Sequence, residues 1–565
     1  MRPGALGLVV GVLLAPMGAV GAEVAPLGPA GRAHPVQPSS GAPASASVVA
    51  STEGLGVLRA DQLSLSPLEE QLPAHLSVVK PVEKPASSAP ARGAASGPRR
   101  SAFLTIPERL PRGYERDPVP PYAPGRRNYV VPALEVVVFN FGLLGLNNFV
   151  GQEEFARVRW DDIVAHFDGR AGWTFDVDYF PINQLGHPYQ GALAHSAARS
   201  SGLSFWEGFL YATASSLLWE YFLERDPPSI NDQITTPLAG VFLGEALHRS
   251  FRFLIDDSRG RHSTFNRIAA SFISPASALN HWLFEDQMDR RDFSALATHL
   301  GVVEAGVSLA TNIRSSQGEA ETGLFSQGPQ IFLGGDLNYG VPTDGDRDYT
   351  VPFSHYVVSA DVAFPRTPLA NLFIRGLLTG QRYGSETQGF HGLWGLYGLY
   401  DLSANHTVRV STVGIGVGTT LRARVGHGNQ FHLTAVAGSV GFGAAGSLGL
   451  ESEHERDYQI GPGASGILEA SLLRPGLGSV AIKGHTWNIV GLYTEPRDGS
   501  EWISYVSLEG RLRVLPRVAV GFDVPLMARI FRLAGNAQTE RAEIGANPRL
   551  VVTFSTDDIL FTESP

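Results

Sequence analysis

From about Val302 to the C-terminus, apolar and polar residues alternate with a period of two, and nothing else in the sequence limits the fold so strongly. In "YVSLEGRLRVL", Val506, Leu508, Leu512 and Val514 fall on one side, and Ser507, Glu509, Arg511 and Arg513 on the other. In "VAVGFDVPLMARI", Val518, Val520, Phe522, Val524, Leu526 and Ile530 share a face opposite Ala519, Gly521, Asp523 and Arg529. Successive side chains of a strand point to opposite faces, so this pattern predicts strands with one apolar and one polar side. Gly, Asp, Asn and Pro clusters divide the region into about twelve segments of roughly ten residues, the length a tilted strand needs to cross a bilayer.

A soluble β-sandwich alternates too. Three features favour a membrane barrel: the strand length, an export-type N-terminus, and the aromatic run "GLWGLYGLY" (Gly392 to Tyr400), expected as an interfacial girdle. Only 17% of residues are charged, fewer than a soluble enzyme usually carries. A barrel that is apolar outside and polar inside averages to such a composition. The last strand is expected at Arg549 to Phe554, with Phe554 or Phe561 as the terminal aromatic.

The first 22 residues read as a secretory leader: Arg2, an apolar core from Gly4 to Pro16, and Val20-Gly21-Ala22 as the cleavage motif. Residues 23–128, rich in Pro, Ala, Ser and Gly, read as a disordered linker that buries too little apolar surface to offset its ordering entropy. The chain has no cysteine, which excludes a lipoprotein anchor, disulfides and thiolate chemistry. A net charge of −10 argues against nucleic acid as a partner.

Residues 129–290 read as a helical domain, with apolar helices over Val131 to Val150 and Ser204 to Leu223. Pro227-Pro228 must end the second. "SIND" then reads as a capping box, with Ser229 as N-cap, Asn231 within it and Asp232 three residues on, opening a helix that ends near Arg249.

This region resembles DUF3943, a bacterial family of unknown function. The resemblance lies in the order and spacing of "INQLGHPYQG", "AARSSGLSFWEG", "SSLLWEYFLERDPPSIND", "GVFLGEALHR" and "FNRIAASFISP", over about Asp176 to Asp289. It implies an exported protein with this helical segment ahead of a barrel-like C-terminus, and it implies no activity. Relatives tend to carry an aromatic pair where this chain has Ala194-His195. His195 is therefore a poor candidate for a shared role, and His187 a better one.

His187 precedes Pro188, a residue suited to the first turn of a helix, so His187 is expected at a helix mouth whose partial positive charge favours neutral imidazole. Helix ends can bring it together with Glu220, Asp232, Glu245 and Arg249. One reading makes His187 a general base oriented by Glu220 or Asp232, with Ser196, Ser229 or water as nucleophile and Arg199 nearby, acting on an envelope lipid or glycan. A second reading, a divalent metal on His187 and carboxylates, lacks a close His spacing, so neither a metal nor another cofactor is predicted. The preferred reading is structural: Arg199 pairs with Glu207, Glu220 or Glu245, Asp232 caps its helix, and His187 bonds backbone.

"GIGVG" and "GFGAAG" read as barrel glycines, and "DGDRD" (Asp344 to Asp348) as a solvated turn. The expected fold is α+β: a helical domain followed by an antiparallel transmembrane β-barrel of about twelve strands at residues 300–565. The expected protein is an outer-membrane barrel, assembled by the barrel-assembly machinery among outer-membrane lipid, with a periplasmic helical cap or plug and a structural or transport role. A membrane-embedded hydrolase or transferase is the alternative.

Overall fold

The computed structural model describes residues 127–565 apart from 177, 256–263, 285–298, 310, 317–318, 324–328, 341–348, 365–366, 405–407, 427, 447–457, 493–498, 534–538 and 556–565. The leader and nearly all of the linker read from the sequence lie outside the described residues, as do the "DGDRD" turn and Phe561.

Among the described residues, seven α-helices come first: α1 (Val130–Leu146), α2 (Trp160–Asp168), α3 (His187–Ser200), α4 (Phe205–Leu218), α5 (Ile230–Ile255), α6 (Thr264–Ile273) and α7 (Pro275–Phe284). π-Helical turns continue α1 and α4 at Asn147–Gly151 and Trp219–Leu223, and another, Ile182–Gly186, leads into α3. Ser204 caps α4: the Glu207 N–H donates to Ser204 Oγ and the Ser204 N–H to Glu207 Oε2. The segment Val130–Gly151 is long and apolar enough to cross a membrane, and only 17% of its apolar window is buried.

The strands are β1 (His299–Leu309), β2 (Thr311–Ser316), β3 (Glu319–Gly323), β4 (Pro329–Tyr339), β5 (Tyr356–Phe364), β6 (Thr367–Ser385), β7 (Phe390–Ala404), β8 (Arg409–Val425), β9 (Asn429–Gly446), β10 (Tyr458–Arg474), β11 (Gly478–Gly491), β12 (Gly499–Leu515), β13 (Val518–Leu533), β14 (Thr539–Ala546) and β15 (Arg549–Ser555). All pairings are antiparallel; β4 to β13 follow one another in sequence order, and β1 pairs with β4 on one side and β15 on the other, with β15 pairing in turn with β13, which closes the sheet. The pairs β1/β2, β3/β4 and β14/β15 are each one interrupted strand, so the barrel has twelve strands.

Its two faces follow the sequence alternation. Leu508, Leu512, Val520, Phe522, Leu526 and Ile530 are exposed on the outside, while Glu501, Ser507, Asp523 and Arg529 are buried within. A closed sheet satisfies every strand edge, and an apolar exterior around a charged interior is the arrangement that lipid selects. The aromatic run behaves otherwise than expected. Trp394 is exposed, but alternation turns Tyr397 into the lumen, and Tyr400 lies buried beneath the helices.

The interior is packed with side chains that meet across it. Trp487 Nε1 on β11 donates to Asp401 on β7 at 2.8 Å, and Arg375 on β6 meets Glu469 on β10 at 3.1 Å. Lys483 on β11 reaches Asp336 on β4 at 3.4 Å, and Arg511 on β12 reaches Glu304 on β1 at 2.6 Å.

The described helices meet the outside of the barrel wall. Tyr400, Gly398 and Ile374 alternate with Asp401 and Arg375, so they point outward, and it is they that meet the helical unit. Phe242 of α5 sits where a Cβ on Gly398 would lie, 2.5 Å from the ring. The Tyr400 hydroxyl donates to the Gln184 carbonyl, and the Arg409 guanidinium lies over the Phe180 ring. Leu337, Tyr356, Val413, Phe442 and Ile460 complete an apolar interface on the outer wall. Charged side chains line the inside, whereas the wall offers apolar surface worth about 25 cal/mol per Å² buried.

Candidate functional site

Two buried polar clusters lie in the helical unit, and they divide the residues predicted from sequence. The first centres on Glu245. Its Oε2 accepts from Arg199 Nε at 2.7 Å and lies 2.9 Å from His195 Nε2, and its Oε1 accepts from Arg249 Nε at 2.7 Å. Arg199 also donates to the Leu203 carbonyl, and Arg249 to the Pro352 carbonyl at 2.8 Å, in the segment between β4 and β5. Burial alone would raise the Glu245 pKa, but Arg199 and Arg249 outweigh it and hold the carboxyl well below its ordinary value.

Helices α3 and α5 can build this cluster because they touch almost backbone to backbone. A Cβ on Gly191 would lie 1.8 Å from the Thr236 carbonyl oxygen, so only glycine fits. Of the partners considered for Arg199, the structure selects Glu245. His195, set aside on sequence grounds, belongs to the network. Phe353 stacks between Phe205 and Phe242 with a backbone φ of 60°, a strained conformation for an aromatic residue, and so ties the same region to the barrel.

The second cluster gathers His187, Glu220, Asp232, Ser229 and Asn231, with Asp176 and Asp178. The chain before α3 runs beside the start of α5: the Thr174 N–H donates to the Pro228 carbonyl and the Ile230 N–H to the Thr174 carbonyl. Asp176 Oδ1 then accepts from Asn183 Nδ2 at 2.6 Å and from Asn231 Nδ2 at 2.7 Å. His187 Nε2 lies 3.6 Å from Asp232 Oδ2. Ser229 does cap α5, its Oγ accepting from the Asp232 N–H at 3.2 Å, but the Ser229 N–H is satisfied by Glu220 Oε2 at 2.7 Å rather than by Asp232. Glu220 thus completes the cap from another helix, while Asp232 accepts from Asn231 Nδ2 at 3.1 Å, shares a side-chain hydrogen bond with Asp176 and faces His187.

His187 faces a carboxylate instead of backbone, and it is not at a helix mouth. The chain is already helical through Ile182–Gly186, so no exposed N-terminal dipole acts on it. Burial is what lowers the His187 pKa. Burial likewise pushes Glu220 up to about 8 and Asp232 well above its ordinary value, and the charge of Asp176 adds to both shifts.

Neither serine fits a nucleophile. Ser196 donates to the Gly244 carbonyl at 3.2 Å and lies nine residues along α3 from His187, about 13 Å of helical rise. Ser229 serves as the cap. Arg199 belongs to the Glu245 network. Asp176 and Asp178 were missed from sequence, although "DVD" beside the His187 motif places two carboxylates two residues apart.

Residues 172–276 match the family model described as "Domain of unknown function (DUF3943)", which takes in both clusters. No curated protein matches the chain. Among solved structures, the NanC porin is 8% identical, with 44% of this chain and 98% of that chain covered and a TM-score of 0.23. The CymD monoaromatic hydrocarbon channel is 12% identical, covering 46% and 88%, with a TM-score of 0.21. OpdQ of Pseudomonas aeruginosa is 10% identical, covering 46% and 97%, with a TM-score of 0.17. Likeness at this level adds nothing to the fold read from the strand pairing.

Proposed function

We propose that the protein is an outer-membrane barrel with a structural role in the envelope, its lumen closed by its own side chains and its helical unit mounted on the outer wall. The carrying observation is the set of contacts across the lumen, Trp487–Asp401, Arg375–Glu469, Lys483–Asp336 and Arg511–Glu304. Pairs that neutralise one another inside a barrel leave little room or field for a permeating solute. The leader-like N-terminus supports export, and a closed barrel of this kind would be inserted by the barrel-assembly machinery. The helical unit exposes Leu134, Val138, Phe141, Phe149, Trp206 and Leu210, which extend the apolar wall on which it is docked and favour a place at the bilayer boundary.

Fractionation followed by gel migration with and without boiling tests the location. Planar-bilayer recording of the purified barrel tests the role. A heat-shifted outer-membrane band with negligible conductance is expected. Steady ohmic conductance would favour transport, and a band without a heat shift would remove the barrel.

A second reading rests on one observation, the His187–Asp232 contact beside the lipid-facing wall: an enzyme of envelope lipid with His187 as base and water as nucleophile. It requires that His187→Ala abolish a change in lipid profile while the helical unit stays folded.

A further inference from the structure

We propose that Asp176, Asp178 and His187 form a binding site for a divalent metal of the zinc or manganese type, backed by Asp232, Asn183 and Asn231. Each of the three offers one ligand atom, and these atoms lie within 4.8 Å of one another. Two carboxylates with one imidazole is a donor set that suits zinc and manganese, with positions left for water.

The surroundings are those of a built site. Asn183 and Asn231 both donate to Asp176 Oδ1, which fixes that carboxylate beside Asp232, with which it shares a side-chain hydrogen bond. The Asp176 N–H donates to Asn231 Oδ1 at 3.0 Å, so one asparagine holds both backbone and side chain of a ligand. Asp232 lies beside the His187 ring, where a carboxylate orients a metal-bound imidazole. A second observation comes from the neighbouring Glu220. Glu220 is only 1% exposed, and its Oε1 has no hydrogen-bond partner, although the carboxylates of Asp176 and Asp178 are near enough to act on it. Carboxylates gathered in a buried place either take up protons or gather around a positive charge. A divalent ion supplies that charge, and Asp178, exposed to solvent, gives it a way in. The site stands whether or not the lumen conducts.

The full chain in detergent, stripped with chelator, is titrated calorimetrically with zinc and separately with manganese. One equivalent of at least one of them should bind. Asp178→Asn, at an exposed position, should keep the fold and abolish stoichiometric binding. Asn231→Ala should weaken it by about 10–100-fold, the usual effect of losing an outer partner. Manganese bound to the wild type should show nitrogen hyperfine coupling from imidazole, absent in His187→Gln. Absence of stoichiometric binding by the folded wild type overturns the proposal, as does undiminished binding by Asp178→Asn.

Discussion

Tyr458, on the outer wall of β10, donates its hydroxyl to the Asp178 carbonyl at 2.7 Å. The same hydroxyl accepts from Asn183 Nδ2 at 2.9 Å. One barrel residue therefore holds both the backbone of the acidic segment and an asparagine that orients Asp176. The acidic cluster is shaped jointly by helix and wall, so disturbing the wall should disturb the cluster without touching any carboxylate.

Tyr458→Phe tests this coupling. It removes the hydroxyl, and with it one hydrogen bond to the Asp178 carbonyl and one from Asn183, at a cost of about 1–3 kcal/mol for each group left buried and unsatisfied. The barrel should keep its heat-shifted band, because the ring still packs on Phe180. Proteolysis within residues 172–190 should quicken. Unchanged cleavage would mean that the mooring contributes little.

The Glu245 network should respond to both mutation and acid. Glu245→Gln removes the charge between Arg199 and Arg249, and breaking such a buried pair costs about 3–5 kcal/mol. The helical unit should become protease-sensitive while the barrel stays intact. The folded pKa of Glu245 lies below the unfolded value of 4.5, so its stabilisation is present above that pH and is lost as pH falls below it. Wild type should loosen on acidification below about pH 4.5, with Glu245→Gln showing a weaker dependence there. Parallel acid profiles for the two proteins would count against Glu245 as the group responsible.

The barrel was legible because alternation is a local property: Leu508 and Glu509 announce their faces without knowledge of any neighbour. The position of the helices was not. Gly398, Tyr400 and Ile374 read as ordinary lipid-facing positions, and only tertiary packing shows that Phe242 and Gln184 cover them. The same limit applied to the polar residues. Sequence groups His187 with Glu220, Asp232, Glu245 and Arg249; the structure sets His187 3.6 Å from Asp232, places Glu220 on the Ser229 N–H, and puts Glu245 and Arg249 in a separate cluster. Sequence could not choose among three carboxylates for Arg199, because that choice depends on the close crossing of α3 and α5 at Gly191 and Gly240. Asp176 and Asp178 escaped notice because a lone "DVD" is common on surfaces, and its meaning comes from the start of α5 lying beside it.

Docking on the wall predicts a compensating pair. Gly398→Ala places a Cβ 2.5 Å from the Phe242 ring, and such overpacking costs about 1–3 kcal/mol. Phe242→Leu should relieve much of that cost, so the double variant should resist protease better than Gly398→Ala alone. Both should leave barrel migration unchanged. If Gly398→Ala proved neutral, α5 would have to pack elsewhere in the membrane.

A lumen closed by paired side chains, as proposed, predicts that conductance is gained by deletion. Arg375 and Glu469 span the interior between β6 and β10, and His485 adds a contact to Glu469 at 3.2 Å. Arg375→Ala removes the largest side chain of this group and leaves Glu469 with less compensation, which costs about 3–5 kcal/mol where burial is complete and less where water enters. Water should enter, because the widened lumen supplies both the space and a charge to hydrate. Planar-bilayer recordings should then show conductance rising from near background in wild type, with cations favoured over anions because the uncompensated charge is negative. The paired variant Arg375→Ala with Glu469→Ala should conduct as well but lose the cation preference. A wild type that already conducts, or an Arg375→Ala variant that stays silent, would show that these pairs do not close the barrel.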